Sequence, residues 1–159
     1  MRQLTYYLII LIISSGCSEY NTEWKAERAA TIDFGTAPKN ENFILSFHKR
    51  GDTLNYKYVS IIDSTKHISI QKIAHSNTLF FGFDKFIRSD RPSFRNPKLN
   101  DLEFDYYDLE TPIMDGTGPI LYNLEYGLLA INNVYGPTII FLEEKDNNLT
   151  EQIVKQLNK

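Results

Sequence analysis

Residues Thr53 to Asp63 read TLNYKYVSIID. Leu54, Tyr56 and Tyr58 alternate with Asn55 and Lys57, and the apolar Val59, Ile61 and Ile62 follow. A period of two puts alternate side chains on opposite faces of a pleated chain, so this stretch predicts a half-buried β-strand. Tyrosine and β-branched residues suit that setting, because they pack well on a pleated surface.

The same pattern continues on both sides. Upstream, Phe43 to Phe47 (FILSF) predicts a strand, joined through a turn at Lys49-Arg50-Gly51-Asp52. Downstream, His67 to Ile73 (HISIQKI) sets Ile68 and Ile70 on one face. Thr78 to Ile87 (TLFFGFDKFI) is strongly aromatic, and its Gly82 marks a bulge or a close approach. Leu102 to Leu109 sets Leu102, Phe104 and Tyr106 against Glu103 and Asp105. Ile120 to Leu124, Gly127 to Ile131 and Thr138 to Glu143 complete the strands, with Asn132 to Pro137 as a hairpin connection.

The C-terminus changes period. Asn148-Leu149-Thr150-Glu151 matches a capping box with Asn148 as N-cap, and Leu149, Ile153, Val154 and Leu157 share one helical face. This predicts a helix over Leu149 to Leu157. Strands followed by a single helix, without alternating helices, predict an α+β fold: a mainly antiparallel sheet of about six to eight strands with a C-terminal helix. An all-β sandwich or barrel is the alternative.

The chain has 159 residues, which suits one domain. It carries 10 Tyr and 10 Phe against a single Trp, which again favours strands. Its formal charge of -3 provides no basic excess for a polyphosphate backbone, so nucleic acid is excluded as a partner class.

The start of the chain has a different character. One arginine in Met1-Arg2-Gln3 precedes an apolar run from Tyr6 to Ile13, then Ser14-Ser15-Gly16-Cys17. A positive start, a short apolar segment and small residues at a cleavage site make an export signal. Eight residues of helix rise only about 12 Å, too little for a bilayer core of about 30 Å.

Ser14-Ser15-Gly16-Cys17 resembles the lipobox of bacterial lipoproteins, with Ser14 standing where that family carries an aliphatic residue. The resemblance implies cleavage between Gly16 and Cys17 and a diacylglycerol, with further acyl chains such as palmitate, on Cys17. Ser18 after the cysteine resembles lipoproteins sent to an outer membrane. Glu125 to Ile131 (EYGLLAI) is similar to the closing hairpin of small envelope lipoproteins. Cysteine usage agrees, because Cys17 has no second cysteine with which to form a disulfide. The expected organisation is a signal peptide over 1–16, a lipidated N-terminus and tether over 17–42, and a single β-rich domain over 43–159.

Several groups of residues are candidate sites. Asp101, Glu103, Asp105, Asp108 and Glu110 offer a calcium loop or paired catalytic carboxylates. Their spacing resembles the start of an EF-hand loop, yet Tyr106 and Pro112 stand where that loop needs Gly and Glu, so a solvated acidic face is favoured. Lys85, Arg88, Arg91, Arg95 and Lys98 precede the acids. Arg88, Arg91 and Arg95 form the candidate anion-binding or partner-binding loop, since arginine forks match phosphate and carboxylate. The favoured reading pairs these bases with the neighbouring acids across the fold.

His48, His67 and His75 lack metal-ligand spacing, so no metal site is expected. Asp115-Gly116-Thr117-Gly118, flanked by prolines, predicts a turn. No catalytic constellation or cofactor fingerprint is present, and the expectation is a non-enzymatic chain without a cofactor.

The expected function is therefore a membrane-anchored lipoprotein of the bacterial cell envelope, at the outer membrane, acting as a binding or scaffolding module. Its partners would be membrane lipid through acylated Cys17 and an envelope protein or glycan. An envelope hydrolase or glycan-active enzyme using the 101–110 carboxylates is one alternative, and an inhibitor or immunity-type lipoprotein is another.

Overall fold

The computed structural model describes residues 23–158 except Thr36, Asp115 and Tyr135. Gly16 and Cys17, and with them the expected cleavage and lipidation points, lie outside the described residues.

Ten strands form one closed antiparallel barrel in which every strand pairs with its neighbours in sequence and β1 pairs with β10. They are β1 (Glu23–Asp33), β2 (Lys39–Arg50), β3 (Thr53–Ser60), β4 (His67–Ile73), β5 (Thr78–Phe81), β6 (Asp84–Arg88), β7 (Asp105–Leu109), β8 (Thr117–Asn123), β9 (Gly127–Asn133) and β10 (Thr138–Leu142). A 3-10 turn at Pro97–Leu99 interrupts the long β6–β7 connection, and helix α1 spans Asn147–Leu157. Closure leaves no exposed sheet edge.

The antiparallel sheet and C-terminal helix match the sequence reading, and the architecture is the barrel that stood as its alternative. Three boundaries differ. Glu23–Asp33, expected within the tether, is β1, and its pairing with both β2 and β10 closes the barrel. Trp24, Ala26, Arg28, Ala30 and Ile32 in fact alternate in it with Lys25, Glu27 and Thr31, a period of two that the helix-forming run WKAERAA obscures. The aromatic stretch 78–87 is a hairpin, not one strand: Phe81 faces Asp84, and Gly82 turns the chain at φ 61°. The helix begins at Asn147 with Asp146 as its N-cap, whose carboxylate accepts from the Leu149 N–H at 3.0 Å. Asp146 therefore takes the role expected of Asn148.

A ten-stranded barrel has a wider lumen than an eight-stranded one, and large side chains must fill it. Here aromatic residues do so. Phe43, Leu45, Tyr56, Tyr58, Ile70, Phe86, Tyr107, Tyr122, Leu128 and Phe141 pack as a single internal core. Each buried phenol needs a partner. Tyr58 Oη accepts from the Leu128 N–H at 2.7 Å, and an added Cβ on Gly127 (φ 88°) would stand 2.5 Å from that hydroxyl. Glycine at 127 is what lets Tyr58 reach the β9 backbone.

A second core lies outside the wall. Phe104, Leu121, Leu129, Ala130 and Ile140 point outward and are covered by Leu149, Ile153 and Leu157 of α1 and by Phe94 and Leu99 of the β6–β7 connection. Elsewhere the outer wall is mostly polar, with Lys25, Glu27, Lys57 and Gln71 exposed, and half-buried Ile44, Val59, Phe80 and Ile87 interrupt it. An apolar interior with a polar exterior is the inverse of a membrane-spanning barrel, whose outer band is apolar.

Candidate functional site

Strand direction assigns every connection to one end of the barrel. The β2–β3, β4–β5, β6–β7 and β8–β9 connections meet at the end where β1 begins. At this end the lumen opens into a cavity of about 590 Å³, lined by Phe47, Leu54, Lys72, Ala74, Arg88, Asp105, Tyr107, Tyr122 and Leu124 among others. That volume falls within the range of small-ligand sites. Tyr107 and Tyr122 meet edge to face, with ring centroids 5.8 Å apart. Phe47 in the wall stacks on Trp24 at 5.3 Å.

Register explains how polar groups reach the mouth. Lys72 pairs with inward-facing Leu54 and shares the parity of Ile70, so it is the last inward residue of β4. Arg88 ends β6 two residues after inward Phe86, and Asp105 starts β7 two residues before inward Tyr107. Three apolar inward rows thus end in charge where the lumen meets water.

Lys72 is the unusual member, being only 7% exposed. Its ammonium donates to the Ile73 carbonyl at 2.8 Å and the Ser76 carbonyl at 2.5 Å, and sits 5.9 Å from the Tyr107 ring centre. An ammonium has three donors, and these carbonyls take two. Among the described residues no carboxylate lies within ion-pair distance of it. Burial lowers its pKa, and the Arg88 charge lowers it further, while Asp105 works the other way. Arg88 is paired with Asp105 at 2.9 Å, and Asp105 also accepts from Ser93 Oγ at 2.7 Å. With Lys49 and Glu103 also in the lining, three cations and two carboxylates leave the mouth one positive charge in excess.

The tyrosines are held neutral. Burial pushes the Tyr107 phenol up to about 12, reinforced by Asp105, and burial pushes Tyr56 up to about 12 against the bond from Tyr122. They act as hydrogen-bonding walls and not as ionised groups.

The three arginines singled out in the sequence are divided by the wall. Arg88 lines the mouth. Arg91 and Arg95 lie outside it, beside Phe94, Tyr106 and Gln156 of a separate cavity of about 590 Å³. Each is paired with one of the acids: Arg91 with Asp108 at 2.6 Å, and Arg95 with Glu103. Arg91 also stacks over Tyr106 at 4.3 Å. Lys85 pairs with Glu110, so four of the five acids have a cationic partner. Asp101 sits in a tight turn with φ 54°, off any strand. The acids thus face counter-charges, and among the described residues no group of three metal-ligating side chains comes together.

Lys72 was not singled out in the sequence, although a signal existed. In HISIQKI the row Ile68, Ile70, Lys72 is one inward face, and a lysine ending such a row marks where the lumen opens. No protein-family model, no curated protein and no solved structure matches the chain.

Proposed function

We propose that this chain is a lipid-anchored protein of the bacterial cell envelope whose barrel is a binding module, and that the open mouth takes a small monoanionic ligand with an apolar body. The observation that carries the binding reading is Lys72: a desolvated cation without a carboxylate partner, at the edge of a cavity whose walls are aromatic and aliphatic. A ligand carboxylate would take its third donor and accept a charge-assisted hydrogen bond at the edge of the lumen. Phe47, Leu54 and Leu124 would cover the apolar body. The packed tyrosines beneath stop a long chain from threading the lumen, so the ligand is short.

The anchoring reading rests on Ser14-Ser15-Gly16-Cys17. Two or more acyl chains hold a protein stably on a bilayer, at about 0.8 kcal/mol per buried methylene. Replacing Cys17 with Ser and growing the host on labelled palmitate tests it. Loss of label and release from membranes are expected, and retained label would overturn the anchor. The ligand reading is tested separately by thermal shift with short carboxylic acids and their alcohols. Stabilisation by the acids alone is expected, and equal effects of both would overturn it.

A further inference from the structure

Lys72 is the one buried lysine among the described residues. Two backbone groups fix its nitrogen. The Ile73 carbonyl at the end of β4 accepts from it at 2.8 Å, and the Ser76 carbonyl in the following connection accepts at 2.5 Å. The protonated form keeps one donor to spare. The neutral amine has two N–H bonds and a lone pair. The same two carbonyls then take both N–H bonds, which leaves the lone pair for the cavity that Lys72 lines.

We propose that Lys72 is also a covalent site, whose neutral amine adds to the carbonyl carbon of a short apolar aldehyde held in the mouth and forms an imine. This rests on the mouth being the ligand site proposed above, and it uses the other protonation form of the same nitrogen. A lysine is a nucleophile only when deprotonated, and burial favours that form. Here burial lowers the Lys72 pKa from the ordinary 10.5, and the Arg88 charge lowers it further, against Asp105. The Asp105 carboxylate is engaged elsewhere, by Arg88 at 2.9 Å and by Ser93 Oγ at 2.7 Å.

The step balances without a further reactant. The nitrogen lone pair forms the C–N bond as the C=O π pair moves onto oxygen, which takes a proton from the nitrogen. The carbinolamine then loses its hydroxyl and the remaining N–H proton as water, leaving C=N. Nothing is oxidised or reduced.

The surroundings select the aldehyde class. Phe47, Leu54, Ala74 and Leu124 offer apolar walls to an uncharged chain. An aldehyde carbon bears a hydrogen, which suits a nitrogen already held close to two carbonyl oxygens. Tyr107, with its ring centre 5.9 Å from the Lys72 nitrogen, is held neutral by burial at a pKa of about 12, so its phenol is a proton donor in the same lining for the departing hydroxyl.

The test uses the full chain with Cys17→Ser, which removes a competing thiol. Hexanal with cyanoborohydride turns each imine into a stable hexyl-lysine, read residue by residue by peptide mass spectrometry. Lys72 should be labelled several-fold faster than Lys49, exposed in the same mouth, and Lys57, exposed on the outer wall, although it is the least accessible of the three. Lys72→Met should remove the fast fraction and leave the Lys57 rate unchanged. Acetaldehyde, with no chain for the walls to hold, should show a smaller preference for Lys72. Labelling of Lys72 no faster than of Lys49 would overturn the proposal, and so would an equal preference with acetaldehyde. Hexanoate should protect Lys72 and not Lys57. Fast labelling that hexanoate leaves unchanged would uphold the covalent step and overturn the acid ligand proposed above, so the two readings fail separately.

Discussion

Tyr122 and Tyr56 join opposite walls of the barrel. Tyr122 Oη donates to Tyr56 Oη at 2.8 Å, and Tyr56 Oη donates onward to the Leu124 carbonyl at 2.6 Å. Their strands, β8 and β3, are five places apart in a ring of ten, so this short chain of hydrogen bonds spans the lumen. It also floors the mouth. The two members are not equivalent, because Tyr56 both accepts and donates. Tyr56→Phe should therefore cost more, about 2 kcal/mol, since it strands the buried Tyr122 hydroxyl and the half-buried Leu124 carbonyl, while Tyr122→Phe should cost about 1 kcal/mol. Urea unfolding with an unchanged slope measures both. Equal losses would contradict the chain.

Alkali should unfold the protein. Burial raises the pKa of Tyr56 and Tyr107 to about 12 and raises Tyr58, Tyr122 and Tyr126 as well, against an ordinary value of 10. A raised folded pKa means that the stability from keeping these phenols neutral is complete below pH 10 and is lost as pH climbs toward the folded values. Each should lose on the order of 1–3 kcal/mol by about pH 12, so the phenols should ionise together with a cooperative loss of structure. Lys72, whose pKa is lowered, works in the opposite direction, but it is one group against six, since burial raises Tyr106 too. Tyrosinate absorbance that rises gradually without unfolding would contradict this packing.

Acid should act through Glu41. Its carboxylate is buried, accepts from Ser60 Oγ, and pairs with Lys39 at 3.7 Å and Lys66 at 3.6 Å. The Ser60 bond above all holds its pKa below the ordinary 4.5, assisted by the lysines. A lowered folded pKa gives stability that is present above pH 4.5 and fades as pH falls through the folded value. Glu41→Gln should lose about 1–3 kcal/mol at neutral pH and flatten the acid limb of the stability profile. An unchanged acid limb would show that another carboxylate controls it.

The helix cap discriminates two readings of the same segment. Asp146→Ala should destabilise by about 1 kcal/mol, while Asn148→Ala should stay within about 0.5 kcal/mol of wild type. Denaturant midpoints decide between them.

Alternation was legible where aromatic and β-branched residues carried it: Leu54, Tyr56 and Tyr58 against Asn55 and Lys57 lie as the pattern predicts. Closure was not legible, because pairing between β1 and β10 joins residues more than a hundred positions apart and leaves no local signal. β1 was hidden by helix-forming Ala, Glu, Lys and Arg, whose weak preference tertiary pairing overrides. At the candidate site, Arg88 and the acids were visible as charge. Lys72 was not, because its meaning depends on which end of which strand opens to water. Asp146 was missed because the helix starts two residues before its apolar row.

The central claim is tested most directly at Trp24, the only tryptophan, which stacks on Phe47 in the mouth wall. Titration with hexanoate or phenylacetate should give a saturable change in Trp24 emission. The matching alcohols should bind at least about tenfold more weakly, as loss of one charge-assisted hydrogen bond implies. Lys72→Met should abolish the preference for the acid while remaining folded by circular dichroism. Acid and alcohol acting alike in wild type, or an undiminished acid preference in Lys72→Met, would contradict the account.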